Sequence, residues 1–231
     1  TNSGVITCLT ANILRVLIHF NYWDDERTKA ALEHLMSEYV DKDGYIRCRM
    51  YGLRSSCYMT IPKILFALSA IPIKEHSQRI KKGIDQCVKV LLENQIYKYI
   101  PEKNKEWLQY VKEKKLKGRE FIEERKKFLE KNISMKKVAK AGWTKFGFPL
   151  TYNSDVLDTM RSLVAAEVKY SSEVDSALEI IKNRYKKGKW INEKKHRSPM
   201  YTQIEPYLGE SKWITLHALS VLKHFEGIKI I

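Results

Sequence analysis

The sequence predicts an all-α fold, built from helices that alternate between a more apolar and a more polar kind. Three observations predict it. Apolar residues fall at helical spacing through seven segments. The segments alternate in character: apolar 8–20, polar 25–39, apolar 57–69, polar 77–95, apolar 153–168, polar 173–186 and apolar 211–225. A turn also recurs, DKDGYIRC at 41–48 and KKGKWIN at 186–192, each time after an amphipathic pattern that ends in charge. An all-round apolar helix must be covered on both sides, so the apolar set forms an inner layer and the polar set an outer one.

Each element follows from its residues. In 8–20, Leu9, Ile13, Val16, Leu17 and Phe20 give a broad apolar face. Asp24 and Asp25 open the second helix, where the positive N-terminal end of the helix favours carboxylates. Segment 57–69 carries Pro62 in its early turns, which marks either a kink or a later start. Segment 77–95 lines Ile80, Ile84, Cys87, Val88, Leu91 and Leu92 along one stripe. GWTKFGFPLTY at 142–152 packs aromatics around two Gly and a Pro, an ordered loop rather than a helix. Segment 153–168 is the next apolar helix, and residues 193–210 form a loop with Pro199, Pro206 and Gly209. Ser211 caps the last helix by accepting the free N–H groups of its first turn.

Residues 98–140 break the rhythm. They hold 15 Lys and Arg against 7 Asp and Glu, about half of the net charge of +15. Phe121, Ile122, Arg125, Phe128 and Leu129 keep helical spacing there, so the stretch reads as a basic helical insertion with one packed face.

The 231 residues suffice for a sizeable core, and we read one domain over 1–231. A 44% hydrophobic content with five Trp belongs to a folded chain. No apolar run of about 18 residues occurs, so no membrane span is expected. The chain begins at Thr1 and shows no signal-peptide pattern, and it reads as a truncated piece of a longer chain. The basic excess is spread along the chain, and no helix-turn-helix, zinc-knuckle or RNP signature accompanies it. A solvated surface is therefore favoured over specific nucleic-acid binding. Four Cys without a tight pairing pattern suggest a reducing compartment, and a cytoplasmic location is expected.

The order of outer helix, Gly-aromatic turn and apolar inner helix resembles the prenyltransferase and squalene-cyclase repeat. It is carried by DKDGYIRC…SSCYMT and GKWIN…SKWITLHALSVL. The resemblance covers most of the chain outside 98–140. It implies an α/α-toroid, here a partial ring, with parallel inner helices around a central cavity. It further implies an aromatic-lined cavity for a hydrophobic, isoprenoid-like ligand, with transferase or cyclase chemistry at its mouth. The Asp-x-Asp-Asp acid of the cyclases does not occur in this sequence. A non-enzymatic scaffold that meets an acidic partner through its basic insertion is the alternative.

In the toroid picture the inner-helix starts gather at one mouth. Cys8, Cys48 and Cys57 arrive there, with His217 about a turn inside the last helix, a zinc-compatible ligand set. The same Cys residues also suit a core, where small thiols are common. Asp155 near the mouth is the candidate acid/base, or a helix cap, and Asp158 shares its helix face. Trp143, Phe146, Phe148, Tyr152, Trp190 and Trp213 would line the cavity, or serve as packing wedges. Lys212, with Arg161, could hold an anionic head group.

Overall fold

Apolar and polar helical segments sort into two layers in the computed structural model, which describes residues 5–42, 46, 57–99, 105–131, 137–151, 153–196 and 202–227. Cys48, most of the first recurring turn and Tyr152 lie outside the described residues. In chain order the helices are α1 (Thr7–His19), α2 (Glu26–Tyr39), α3 (Ile61–Ser69) and α4 (Gln78–Glu93). They are followed by α5 (Lys105–Lys114), α6 (Gly118–Lys131), α7 (Val156–Ala165), α8 (Asp175–Asn183) and α9 (Lys212–Glu226). The apolar helices α1, α3, α7 and α9 form a row in which each packs on the next. On its outside α2 packs on α1, α4 on α3 and α2, and α8 on α7. Among the described residues no helix is long and apolar enough to cross a membrane.

Burial follows position in the row. Every residue of α3 from Ile61 to Leu68 is buried, because neighbours cover it on all sides. On α1 only Ala11, Leu14 and Ile18 are buried, while Leu9, Ile13 and Val16 stay about half exposed. On α9, Trp213 and Leu216 are likewise exposed. The two end helices are thus covered on one flank only.

Helix starts follow local chemistry. Asp25 accepts from the Arg27 backbone N–H at 2.8 Å and Ser77 from Ile80 at 3.3 Å, satisfying amides the helix cannot. Pro62 makes no kink: α3 begins at Ile61, after a 3-10 turn over Tyr58–Thr60. Proline is tolerated there because a first-turn N–H has no helical acceptor. At the second recurring turn Gly188 adopts φ +89°, a region glycine enters freely. Strand β3 (Trp190–Ile191) then pairs antiparallel with β4 (Glu210–Ser211), delivering the chain to α9.

Residues 98–140 leave the two layers through β1 (Lys98–Tyr99) and return through β2 (Val138–Ala139), which pair antiparallel. Between them, α5 and α6 enclose a separate apolar cluster of Trp107, Leu116 and Phe121.

Candidate functional site

A cavity of about 150 Å³ opens on the inner row, and all four of its helices line it. Asn12 and Arg15 come from α1, Lys63 from α3, Leu157, Asp158 and Arg161 from α7, and Ile214 and His217 from α9. The loop before α7 adds Gly147, Phe148, Leu150, Thr151 and Asp155. Lys63, Leu157, Asp158 and Ile214 lie in the first turn of their helices, Arg161 and His217 in the second, and Asn12 and Arg15 in the middle of α1.

Two caps set the entry angles. Asp155 accepts from the Asp158 N–H at 2.9 Å and starts α7, and Ser211 accepts from the Ile214 N–H at 3.0 Å and starts α9. Asn192 fixes the loop between them and the pocket. Its Oδ1 accepts from the Phe148 N–H at 3.3 Å, and its Nδ2 donates to the Phe148 carbonyl at 3.1 Å. Asn12 ties the same loop to α1 by donating to the Thr151 carbonyl at 3.0 Å.

The chemistry of the pocket is ionic. Lys63 Nζ meets Asp158 Oδ2 at 2.7 Å, both buried. Arg161 Nη1 stands 4.0 Å from the other oxygen of Asp158. Arg15 lies over the Phe66 ring, its Cζ 4.0 Å from the centroid. Burial lowers the pKa of both arginines, against the pull of Asp158, so each guanidinium is partly stripped of water. His217 is pushed down to about 4 by burial and then by Arg161 and Arg15, and its imidazole is neutral at neutral pH. Burial pushes Asp155 up to about 6, against the Lys194 ammonium at 3.5 Å and with the help of Asp158. Its Oδ2 also accepts from the Gly147 N–H at 3.2 Å.

The residues singled out from sequence are divided by this arrangement. Asp155, Phe148 and His217 line the pocket. Trp213 stacks on Phe148 at 5.4 Å, at the exposed flank of α9. Trp143, Phe146 and Trp190 are almost wholly buried in the core. Trp143 packs on Tyr58, and the Trp190 indole N–H donates to the Ile181 carbonyl at 2.7 Å. These three act as packing wedges and not as pocket wall. Lys212 is exposed outside the lining. Cys57 is buried in the core and Cys8 is half-buried on α1, while Cys48 lies outside the described residues. Among the described residues no group of three or more His, Cys, Asp or Glu could hold a metal ion.

The sequence reading passed over Arg15, Lys63 and Asn12, and the role of Asp158. A signal for them existed. Each inner helix carries a polar or charged residue inside an apolar run: Arg15, Lys63, Arg161 and His217. A charge that cannot reach bulk water must find partners, and Asp158 pairs with Lys63 and stands near Arg161.

Comparison with protein-family models, curated proteins and solved structures returns no significant match.

Proposed function

We propose that this protein is a binding domain that receives an anionic group of a small ligand in the pocket of its inner row. One observation carries the reading: Arg15, Lys63 and Arg161 converge where, among the described residues, Asp158 and Asp155 are the only lining carboxylates. Asp155 already faces Lys194, which leaves the arginines in surplus. Arginine in a partly dry site is suited to carboxylate and phosphate.

The helical row, with outer helices packed on it and one pocket lined by all four inner helices, supports an open α/α arc of toroid type. A cavity of about 150 Å³ is small beside the ~300–1,000 Å³ of sites that enclose whole ligands. An isoprenoid-like ligand would place only its charged head there, with its tail along Phe148 and Trp213. If the domain acts on its ligand, Asp155 is the acid/base candidate, because its proton is exchanged near pH 6.

Thermal-shift titration tests the reading. Phosphate, acetate and farnesyl diphosphate should each raise Tm with concentration at fixed ionic strength, and farnesol should not. Absence of stabilisation by every anion at millimolar concentration would overturn the anion reading, and farnesol acting as strongly as farnesyl diphosphate would shift it to the hydrocarbon.

A second reading concerns the insertion, because α5 and α6 fold around a cluster of their own and expose Lys112, Lys114, Lys115 and Lys127. Such a hairpin could meet an acidic protein. Retention on a polyglutamate resin that survives Lys112→Glu with Lys115→Glu would count against it.

A further inference from the structure

Arg15 and Arg161 share one aromatic ring. They come from different helices, α1 and α7, and the ring is that of Phe66 on α3 between them. The Arg15 Cζ lies 4.0 Å from the ring centroid and the Arg161 Cζ 5.4 Å. Both guanidiniums line the pocket. They are close enough for the charge of Arg15 to oppose that of Arg161, and both charges weigh on His217.

Asp158 is the counter-charge that both arginines feel, but it is shared with Lys63 and offsets the pair only in part. Asp158 holds Lys63 at 2.7 Å and reaches Arg161 only at 4.0 Å. Asp155 is engaged by Lys194 and by the N–H groups of Gly147 and Asp158. Among the described residues no carboxylate stands within ion-pair distance of Arg15. Two desolvated, mutually repelling cations therefore face one small cavity. A single carboxylate has two oxygens and one charge, which one guanidinium fork can satisfy alone. A phosphoryl group has three terminal oxygens and close to two charges, enough to engage both forks at once.

We infer that Arg15 and Arg161 form a two-armed clamp for one compact dianion, inorganic phosphate or the phosphoryl end of a small phosphate monoester. This rests on the anion-pocket reading above and narrows its ligand class. The neutral His217 ring adds a hydrogen-bonding group without a third charge. Phe66 acts as the shared platform that fixes the two forks relative to each other, since guanidiniums stack on aromatic faces.

Isothermal titration of the full chain with phosphate, sulfate and acetate at pH 7.5 and constant ionic strength tests the clamp. Phosphate and sulfate should bind at least about ten-fold more tightly than acetate. Arg15→Gln and Arg161→Gln should each abolish that preference and leave acetate-like binding. Arg15→Lys, which keeps charge but not the fork, should not restore it. A measurement on the unmodified chain covers the case in which a variant fails to fold: phosphate, but not acetate, should slow phenylglyoxal labelling of both Arg15 and Arg161. Equal affinity for acetate and phosphate, or labelling unchanged by phosphate while phosphate binds, would overturn the clamp and leave the anion pocket standing. No binding of any of the three anions would overturn both.

Discussion

Lys63 Nζ and Asp158 Oδ2 form a 2.7 Å ion pair whose side chains are 5% and 8% exposed. The two residues lie on adjacent inner helices, α3 and α7, so the pair joins the middle of the row at the level of the pocket. Burying two charges costs several kcal/mol per ion, and close pairing offsets this only when both partners are present.

Removing one partner should therefore be costly. Lys63→Met should destabilise by about 3–5 kcal/mol in urea unfolding. Asp158→Asn should cost more than Lys63→Met, because Asp158 is also the counter-charge that Arg15 and Arg161 feel. The double variant Lys63→Met with Asp158→Leu should cost less than the sum of the two single losses, although it also removes the counter-charge that Arg15 and Arg161 feel. A double variant whose loss equals the sum of the Lys63→Met and Asp158→Leu losses would show that the two residues are not coupled as a buried pair.

Asp155 and His217 should give opposite pH responses. The folded state keeps the Asp155 proton up to about pH 6, whereas the unfolded chain releases it near 3.8. Between those values the folded state binds more protons, so this group makes stability fall as pH rises, by roughly 3 kcal/mol at most. His217 is neutral in the folded state down to about pH 4, whereas the unfolded chain takes up a proton below 6.5. There the unfolded state binds more protons, so His217 makes stability rise with pH. The two nearly oppose each other between pH 4 and 6. Asp155→Asn, which can still cap α7, should give a Tm that climbs over that window more steeply than wild type. His217→Gln should give one that falls. Parallel curves for the three proteins would show that neither group is perturbed as described.

The helices were legible in the sequence and the pocket was not, for a physical reason. Segments such as IPKILFALS and CLTANILRVLIHF announce helices because most positions are apolar, although only the first is buried all round. The residues that carry the chemistry are the exceptions, Lys63 and Arg15. A single exception barely changes a periodic pattern, and which exceptions meet depends on how helices far apart in sequence pack. Asp155 was legible because capping and pocket position coincide at the start of α7. Trp143, Phe146 and Trp190 carried the strongest aromatic signal, yet they went to the core, where large rings bury the most surface.

The insertion should unfold by itself. Trp107 is fully buried and touches Tyr110, Phe121 and Phe128, with ring centroids 5.1–5.7 Å apart. Trp107→Ala removes about 3–5 kcal/mol of packing from a cluster with few other buried members. Hydrogen exchange should lose protection across 105–131, while α3 and α7 keep theirs. Loss of protection in α3 as well would show that the insertion and the helical row unfold as one unit.

Asn192 should link stability to binding. It is buried, ends the second recurring turn, and grips both the N–H and the carbonyl of Phe148. Its Oδ1 also accepts from the Lys194 N–H at 3.4 Å, so it sets the segment that carries the Asp155 partner. Asn192→Ala leaves the Phe148 carbonyl and N–H without these partners, at a cost of about 2 kcal/mol. Asn192→Asp keeps an acceptor for the N–H but turns the donor into a second acceptor facing the Phe148 carbonyl. It should therefore be no more stable than Asn192→Ala at pH 7.5, despite being the closer isostere. Phosphate affinity should fall in both variants even though Asn192 is not among the lining residues, because Phe148 and Lys194 lose their anchor. Unfolding midpoints and phosphate titration on the same preparations check this. An Asn192→Asp protein as stable as wild type would show that the amide donor does not hold the loop.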